Sequence, residues 1–267
     1  MLKFISFGSG SSGNCYLLYT ATDGLLIDSG IGTRLLKRHM KDYGLNLKNV
    51  HNIIVTHDHA DHVKAVGCIS HEIGVPVYAT REVHAGIRRN YCVRKKVDES
   101  FVRYLEKEQR VTIGEFSVTP FAVPHDSADN VGYRIEHEGV VFCIVTDAGE
   151  VTPEIKRSIA EANYLVMEAN HDVQMLEAGK YPPYLKRRIR SGTGHLSNEE
   201  CGRALAENLT ERLKHVWLCH LSEENNHPEL ARKTVEDILQ RNGIKTGEGL
   251  AVEVLKRKSP SEIYELA

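Results

Sequence analysis

Short apolar runs recur along the chain, and most of them stop at a small, polar or charged residue. Residues 2–7, 15–19, 25–28, 52–56 and 75–78, and later 164–167, 215–219 and 250–255, are four to six residues long and rich in branched and aromatic side chains. Runs of that length with little alternation read as strands buried on both faces. Residues 110–113, 116–123, 131–135 and 140–145 follow one another closely and predict an antiparallel meander. The Asp23-Gly24 pair closes a hairpin ahead of residues 25–28.

Helical spacing fills the gaps. Residues 34–43 follow Thr33 as a cap, and 63–73 carry Val63, Val66, Ile69 and Ile73 on one face. Further helices are expected over 81–89, 153–162, 199–208 and 229–241. Ser197 caps the helix at 199–208, with Glu200 at the capping-box position. Pro182 and Pro183 suit a helix first turn, which would hold Lys186, Arg187, Arg188 and Arg190 close together. Residues 91–110 are charged and aperiodic, and 256–267 read as a polar tail. A chain of 267 residues accommodates one large α/β domain, expected here over residues 1–255.

Composition narrows the class without choosing a function. Apolar content of 41% and charged content of 26% belong to a globular protein, and a net charge of -2 excludes a wholesale basic coat but not a local basic patch. Cys15, Cys68, Cys92, Cys143, Cys201 and Cys219 form no C-x-x-C pair and read as reduced core residues. The first residues start a strand, too short and too soon polar for a signal peptide, and no apolar stretch approaches a membrane span. A cytoplasmic protein, with no membrane contact and no obligate protein partner, is the expectation.

The chemistry concentrates in His57-Asp58-His59-Ala60-Asp61-His62, between the strand at 52–56 and the helix at 63–73. In extended chain alternate side chains share a face, so His57 and His59 can converge on one metal ion while Asp58 points away. Asp61 and His62 lie where the chain turns and can address a second ion. Imidazole with carboxylate suits zinc, manganese or iron, and is wrong for a calcium cage. Other strand ends repeat the theme, the place where α/β sheets hold their sites. Asp28 is followed by Ser29-Gly30, and Asp147 by Ala148-Gly149, an echo that hints at internal duplication. His125 and His220 each follow an apolar strand, and His125 supplies the third imidazole that a first ion needs. The Gly-rich run Ser9-Gly-Ser-Ser-Gly-Asn14 leads into a strand rather than a helix, which favours a tight turn over a phosphate loop.

Asp28, the H-x-H-x-D-H run, His125, Asp147 and His220, in that order, resemble the five motifs of the metallo-β-lactamase superfamily. The resemblance implies a four-layer αβ/βα sandwich of two mixed sheets flanked by helices, built from two similar halves. It implies two divalent ions, zinc or manganese with iron possible: one held by His57, His59 and His125, the other by Asp61, His62 and His220, with Asp147 bridging and Asp28 behind. Glu168-Ala-Asn-His171 and Gly194-His195-Leu-Ser197 look like the ribonuclease Z arrangement, in which a Glu and a His flank the leaving group. The Gly-rich opening, Asn170-His171-Asp172, the Tyr-Pro-Pro-Tyr segment and Gly-His-Leu-Ser-Asn198 are similar to the YycJ/WalJ group of bacterial proteins.

That group is associated with exonuclease action on DNA from the 5′ end. The resemblance therefore implies a two-metal phosphodiesterase acting on nucleic acid, DNA first, with Asp61, His195, Glu168 and His171 in catalysis. Lys186, Arg187, Arg188 and Arg190, with Ser11, Ser12 and Asn14, would bind substrate. A glyoxalase II-like hydrolase of small esters or thioesters, an RNA-processing nuclease, and a metal-stabilised binding protein are the alternatives.

Overall fold

The computed structural model describes residues 1–247 and 249–267. The chain begins with β1 (Leu2–Gly8), β2 (Cys15–Tyr19) and β3 (Gly24–Ile27), followed by α1 (Thr33–Asp42) and β4 (Asn52–Ile54). Helices α2 (Ala60–Val63) and α3 (Val66–Ile73) lead to β5 (Val77–Ala79), α4 (Arg81–Arg89) and β6 (Val102–Tyr104). A second series runs through β7 (Val111–Ile113), β8 (Phe116–Ala122), β9 (Val131–His137), β10 (Val140–Val145), α5 (Pro153–Glu161) and β11 (Tyr164–Glu168). It continues with α6 (Val173–Ala178), α7 (Pro183–Ile189), α8 (Asn198–Asn208), β12 (His215–Cys219), α9 (Pro228–Arg241), β13 (Ala251–Val254) and finally β14 (Tyr264–Leu266).

Two sheets of seven strands result, ordered β14-β1-β2-β3-β4-β5-β6 and β7-β8-β9-β10-β11-β12-β13. Read in those directions, each has three antiparallel pairings and then three parallel ones. The echo of Asp28 in Asp147 thus marks a repeat of architecture, since β3 and β10 hold equivalent places. Among the described residues, β14 is what makes the first sheet match the second.

Strand β2 shows why the apolar runs do not alternate. All five of its residues are buried, because both faces of the sheet are covered. Tyr16 and Leu18 point into the layer between the sheets, while Cys15, Leu17 and Tyr19 meet the outer helices. The inner layer is tied by aromatic contacts, Phe4 lying 5.1 Å from Phe142 and 4.7 Å from Trp217 between ring centres. Outside it, Leu36, Met40, Ile69 and Val83 cover the first sheet, and Ile155, Leu205, Val235 and Leu239 cover the second. Helix, sheet, sheet, helix is the expected four-layer order.

Several local expectations need correction. Gly32, not Thr33, caps α1, and Thr33 is its first helical residue. The helix expected over 63–73 breaks at Lys64 and Ala65, because the ligand-bearing turn is itself a short helix, α2. The aperiodic stretch 91–110 holds a 3-10 turn at Glu99–Phe101 and edge strand β6. Residues 256–267 are not a tail throughout: Tyr264–Leu266 pairs antiparallel with β1, Leu266 opposite Leu2. The capping box on α8 is present, with Ser197 Oγ accepting from Glu200 N and Glu200 Oε2 accepting from Ser197 N. All six cysteines are free thiols, and among the described residues no helix is long and apolar enough to cross a membrane.

Candidate metal centre and active site

Three strand ends are forced into the same backbone shape. Asp28 after β3, Asp147 after β10 and His220 after β12 have φ of 58°, 55° and 53°. A non-glycine residue in this left-handed region costs on the order of 1–3 kcal/mol and persists only where surrounding contacts fix it. Here the sharp turn lifts each side chain off its strand towards a common edge. Gly30 serves the same edge, since a Cβ there would lie 1.5 Å from the carbonyl of Asp61.

His57 and His59 do share a side of the chain, and Asp58 points the other way, where its Oδ1 accepts from Ala128 N at 3.1 Å. Candidate ligand atoms of His57, His59 and His125 lie within 4.8 Å of one another, as do those of Asp61, His62 and His220. The Asp147 carboxylate stands between the groups. Its Oδ2 is 3.2 Å from His62 Nε2, and its Oδ1 is 3.7 Å from His125 Nε2 and 3.5 Å from His220 Nε2.

The outer nitrogens explain which lone pairs face inwards. Thr56 Oγ1 donates to Asp28 Oδ2 and so accepts from His57 Nδ1 at 3.1 Å. His62 Nδ1 donates to Asp28 Oδ2 at 2.7 Å, His125 Nδ1 to the Gly194 carbonyl at 3.1 Å, and His220 Nδ1 to Glu168 Oε1 at 3.0 Å. With Nδ1 committed in all four rings, Nε2 is left to address an ion, the usual support behind metal-bound histidine. His57 Nε2 is buried without a hydrogen-bond partner among the described residues. A buried orphan nitrogen is costly unless something binds it. The donor set therefore fits divalent metal ions of the kind imidazole and carboxylate prefer.

Electrostatics divide the two groups. Burial, reinforced by the neighbouring imidazoles, holds His57 well below the usual histidine range, and burial also lowers His125, so both are neutral and ready to ligate. His62 is different: burial opposes its charge, but Asp147, Asp28 and Asp61 outweigh that and raise it to about 10. His220 is likewise raised against burial by Asp147, Asp61 and Glu168. The Asn14 amide nitrogen, 2.8 Å from His62 Nε2, pulls the other way, because it can donate only to a bare lone pair. At pH 7 a metal entering beside His62 and His220 must expel their protons, whereas one entering beside His57 and His125 need not. Calorimetry in buffers of different ionisation enthalpy should show protons released with one of two ions, and lowering the pH from 8 to 5 should strip that ion first. Loss of both ions together would contradict this asymmetry.

Glu168 organises the neighbouring ground. Its Oε1 accepts from His195 Nδ1 at 2.9 Å as well as from His220, and its Oε2 accepts from Ala148 N at 2.8 Å and Leu196 N at 3.3 Å. Burial alone would raise this carboxyl, but the His195 charge and the two histidine hydrogen bonds pull it down to about 2. In return Glu168 and Asp147 overcome burial and raise His195. His171 joins none of the ligand groups among the described residues. Its backbone instead bridges Ser197, and its carbonyl accepts from Asn198 N at the start of α8.

The expected substrate-binding residues fall into three situations. Ser11 and Ser12 are exposed. Asn14 is fully buried among the ligands. On α7, Arg188 pairs with Asp126, Arg190 with Glu177 Oε1, and Lys186 Nζ donates to the Glu177 carbonyl at 2.6 Å. Arg187 is exposed and makes no ion pair among the described residues. Sequence reasoning did not single out Thr56, Asn130 or Asp126. Asn130 Nδ2 donates to the Asp147 carbonyl at 2.9 Å and its backbone bridges His57. The shared Val-Thr before His57 and Asp147 was a usable signal for Thr56; Asn130 and Asp126 had none.

A fold of two duplicated mixed sheets with histidines and carboxylates converging at one edge defines a class, and the chain belongs to it: residues 24–220 match the beta-lactamase superfamily domain. The chain is 36% identical over 264 residues to exodeoxyribonuclease YycJ of Bacillus anthracis, covering 98% of each. It is 33% identical over 245 residues to exodeoxyribonuclease WalJ of Streptococcus pneumoniae, covering 92% of this chain and 91% of that one. Among solved structures, the metallo-beta-lactamase fold protein YhfI from Bacillus subtilis superposes with a TM-score of 0.71 at 17% identity, covering 99% of each.

Proposed function

We propose that this protein is a metal-dependent phosphodiesterase that degrades DNA from the 5′ end, and that its whole length forms one domain. The observation that carries the reading is the end-to-end identity of 36% with a protein named exodeoxyribonuclease, on a chain whose own side chains suit phosphodiester chemistry. His57, His59 and His125 would hold one ion, Asp61, His62 and His220 the other, and Asp147 would contact both. Zinc and manganese are the metals this donor set favours. Divalent ions, when bound, supply positive charge that neutralises a phosphoryl group and acidifies water.

The remaining work falls to the chain. His195 is held through Nδ1 by Glu168, which with Asp147 raises it against burial and so favours the protonated ring, and that ring can deliver a proton from Nε2 to the departing sugar oxygen. Glu168 fixes the ring and balances the charge that His195 carries before that transfer. Arg187 offers a cation on α7 that makes no ion pair among the described residues, and the ion pairs of Arg188 and Arg190 are exposed and weak enough for DNA phosphates to compete with them. Asp28 and Thr56 keep His57 and His62 in the tautomers the ions require.

The test is digestion of end-labelled, 5′-phosphorylated duplex DNA, with its RNA counterpart alongside, by metal-stripped protein resupplied with manganese or zinc. Stepwise shortening of the DNA from its 5′ end is expected, with no shortening before metal is added. Preference for the RNA, or cleavage of neither polymer under any metal, would refute the DNA exonuclease reading.

A further inference from the structure

The Gly-rich run between β1 and β2 resembles a substrate loop in composition, but its contacts face inwards. Ser9, Asn14 and Tyr16 are all fully buried. Asn14 Nδ2 lies 2.8 Å from His62 Nε2 and 3.4 Å from both the carbonyl and Oδ2 of Asp61, and Asn14 N donates to the same carbonyl at 2.7 Å. Ser9 Oγ accepts from His220 N at 3.0 Å. Tyr16 joins the two, donating to Asn14 Oδ1 at 3.2 Å and lying 2.9 Å from Ser9 Oγ. One turn therefore touches Asp61, His62 and His220, and among the described residues it bonds to none of His57, His59 and His125.

The turn is itself held from outside. Ser9 N donates to the Lys256 carbonyl at 3.1 Å, and Lys64 Nζ donates to the Ser12 carbonyl at 3.0 Å. Arg257 packs against Gly10, where its Cγ would be 3.2 Å from an added Cβ, and its Nη1 donates to the Ser222 carbonyl, two residues past His220, at 2.7 Å. Asp61 and His62 come from α2 in the first half of the chain, while His220 leaves β12 in the second sheet. Some element must fix the distance between them, and this turn spans it.

An ion at His62 Nε2 would take the lone pair that the Asn14 amide faces, leaving the amide to donate to Asp61 Oδ2, 3.4 Å away, behind that carboxylate ligand. We propose that the β1–β2 turn is a positioning strap for the ion held by Asp61, His62 and His220, acting on Asp61 through Asn14 and on the His220 backbone through Ser9. The first ion does not depend on it. The inference rests on the two-ion reading given above. Partners behind metal ligands typically change affinity by about 10–100-fold, and the effect here falls on one site.

The test is metal content and affinity, by elemental analysis and by competition with a chelating dye, for wild type, Asn14→Ala, Ser9→Ala and the remote control Asn163→Ala. Cobalt spectra would report ligand geometry at each site. Asn14→Ala should retain one ion with affinity within about threefold of wild type and weaken the other by about 10–100-fold. Ser9→Ala, which removes one bond to His220 and leaves Asn14 in place, should move in the same direction by less and serves if Asn14→Ala does not fold. Asn163→Ala should bind as wild type does. Two ions at wild-type affinity in the foldable strap variant, or equal weakening of both, would overturn the strap. A wild type that binds fewer than two ions would instead sink the two-ion reading beneath it.

Discussion

Asp147→Ala should reduce DNA digestion by more than about 100-fold, beyond what loss of a residue merely supporting a metal ligand costs. The reason is the division of its carboxylate, one oxygen facing His62 and the other facing His125 and His220. No other side chain among the described residues faces imidazoles of both groups in this way. Asp147→Asn is the sharper variant, since Asn tolerates the left-handed backbone at this position at least as well as Asp. It should fold normally by circular dichroism and still lose activity and metal, because a neutral amide cannot balance two ions. Activity within tenfold of wild type in Asp147→Asn would show that the carboxylate is not shared between ions.

His195→Ala should lower kcat by about 10²–10⁴-fold, the range for a positioned acid or base, while leaving metal content unchanged. A diester with an activated phenol as leaving group needs no proton and should be hydrolysed by the variant at a rate close to wild type. The pH profile carries the sign. His195 acts protonated, and Glu168 and Asp147 raise it, so wild-type kcat should fall as pH rises through that raised value, and the variant should lack this limb. Glu168→Gln should differ from His195→Ala by also weakening an ion, because Glu168 supports His220 through the same oxygen that holds His195. If His195→Ala loses metal as well as rate, the ring is holding an ion rather than donating a proton.

Much of this was legible because the chemistry sits where the apolar pattern stops. A run such as residues 140–145 predicts a buried strand, and the acid just after it must then lie at a sheet edge. The same logic placed His57, His125 and His220. What failed to show had a physical cause in each case. Strand β6 is three residues at a sheet edge with Arg103 and Tyr104 exposed, so it carries no apolar signature. Strand β14 is equally short and lies in a charged segment, and its pairing with β1 spans almost the whole sequence. The cationic helix was correctly seen as cationic, but Arg188 pairs with Asp126, 62 residues away, which no local pattern encodes. Asn14 was expected to bind substrate from a tight turn, because Gly and Ser surround it. Only the folded chain reveals that the turn closes inwards over Asp61 and His62.

The interleaving of the two sheets also constrains how the protein can be made. Six strands of the first sheet are complete by Tyr104, yet its seventh, β14, begins at Tyr264. Translation at about 5–20 residues per second separates the two by on the order of ten seconds. During that interval β1 lacks its partner strand at one edge, and all seven strands of the second sheet emerge and can pair. The first sheet is therefore completed only after every strand of the second has emerged.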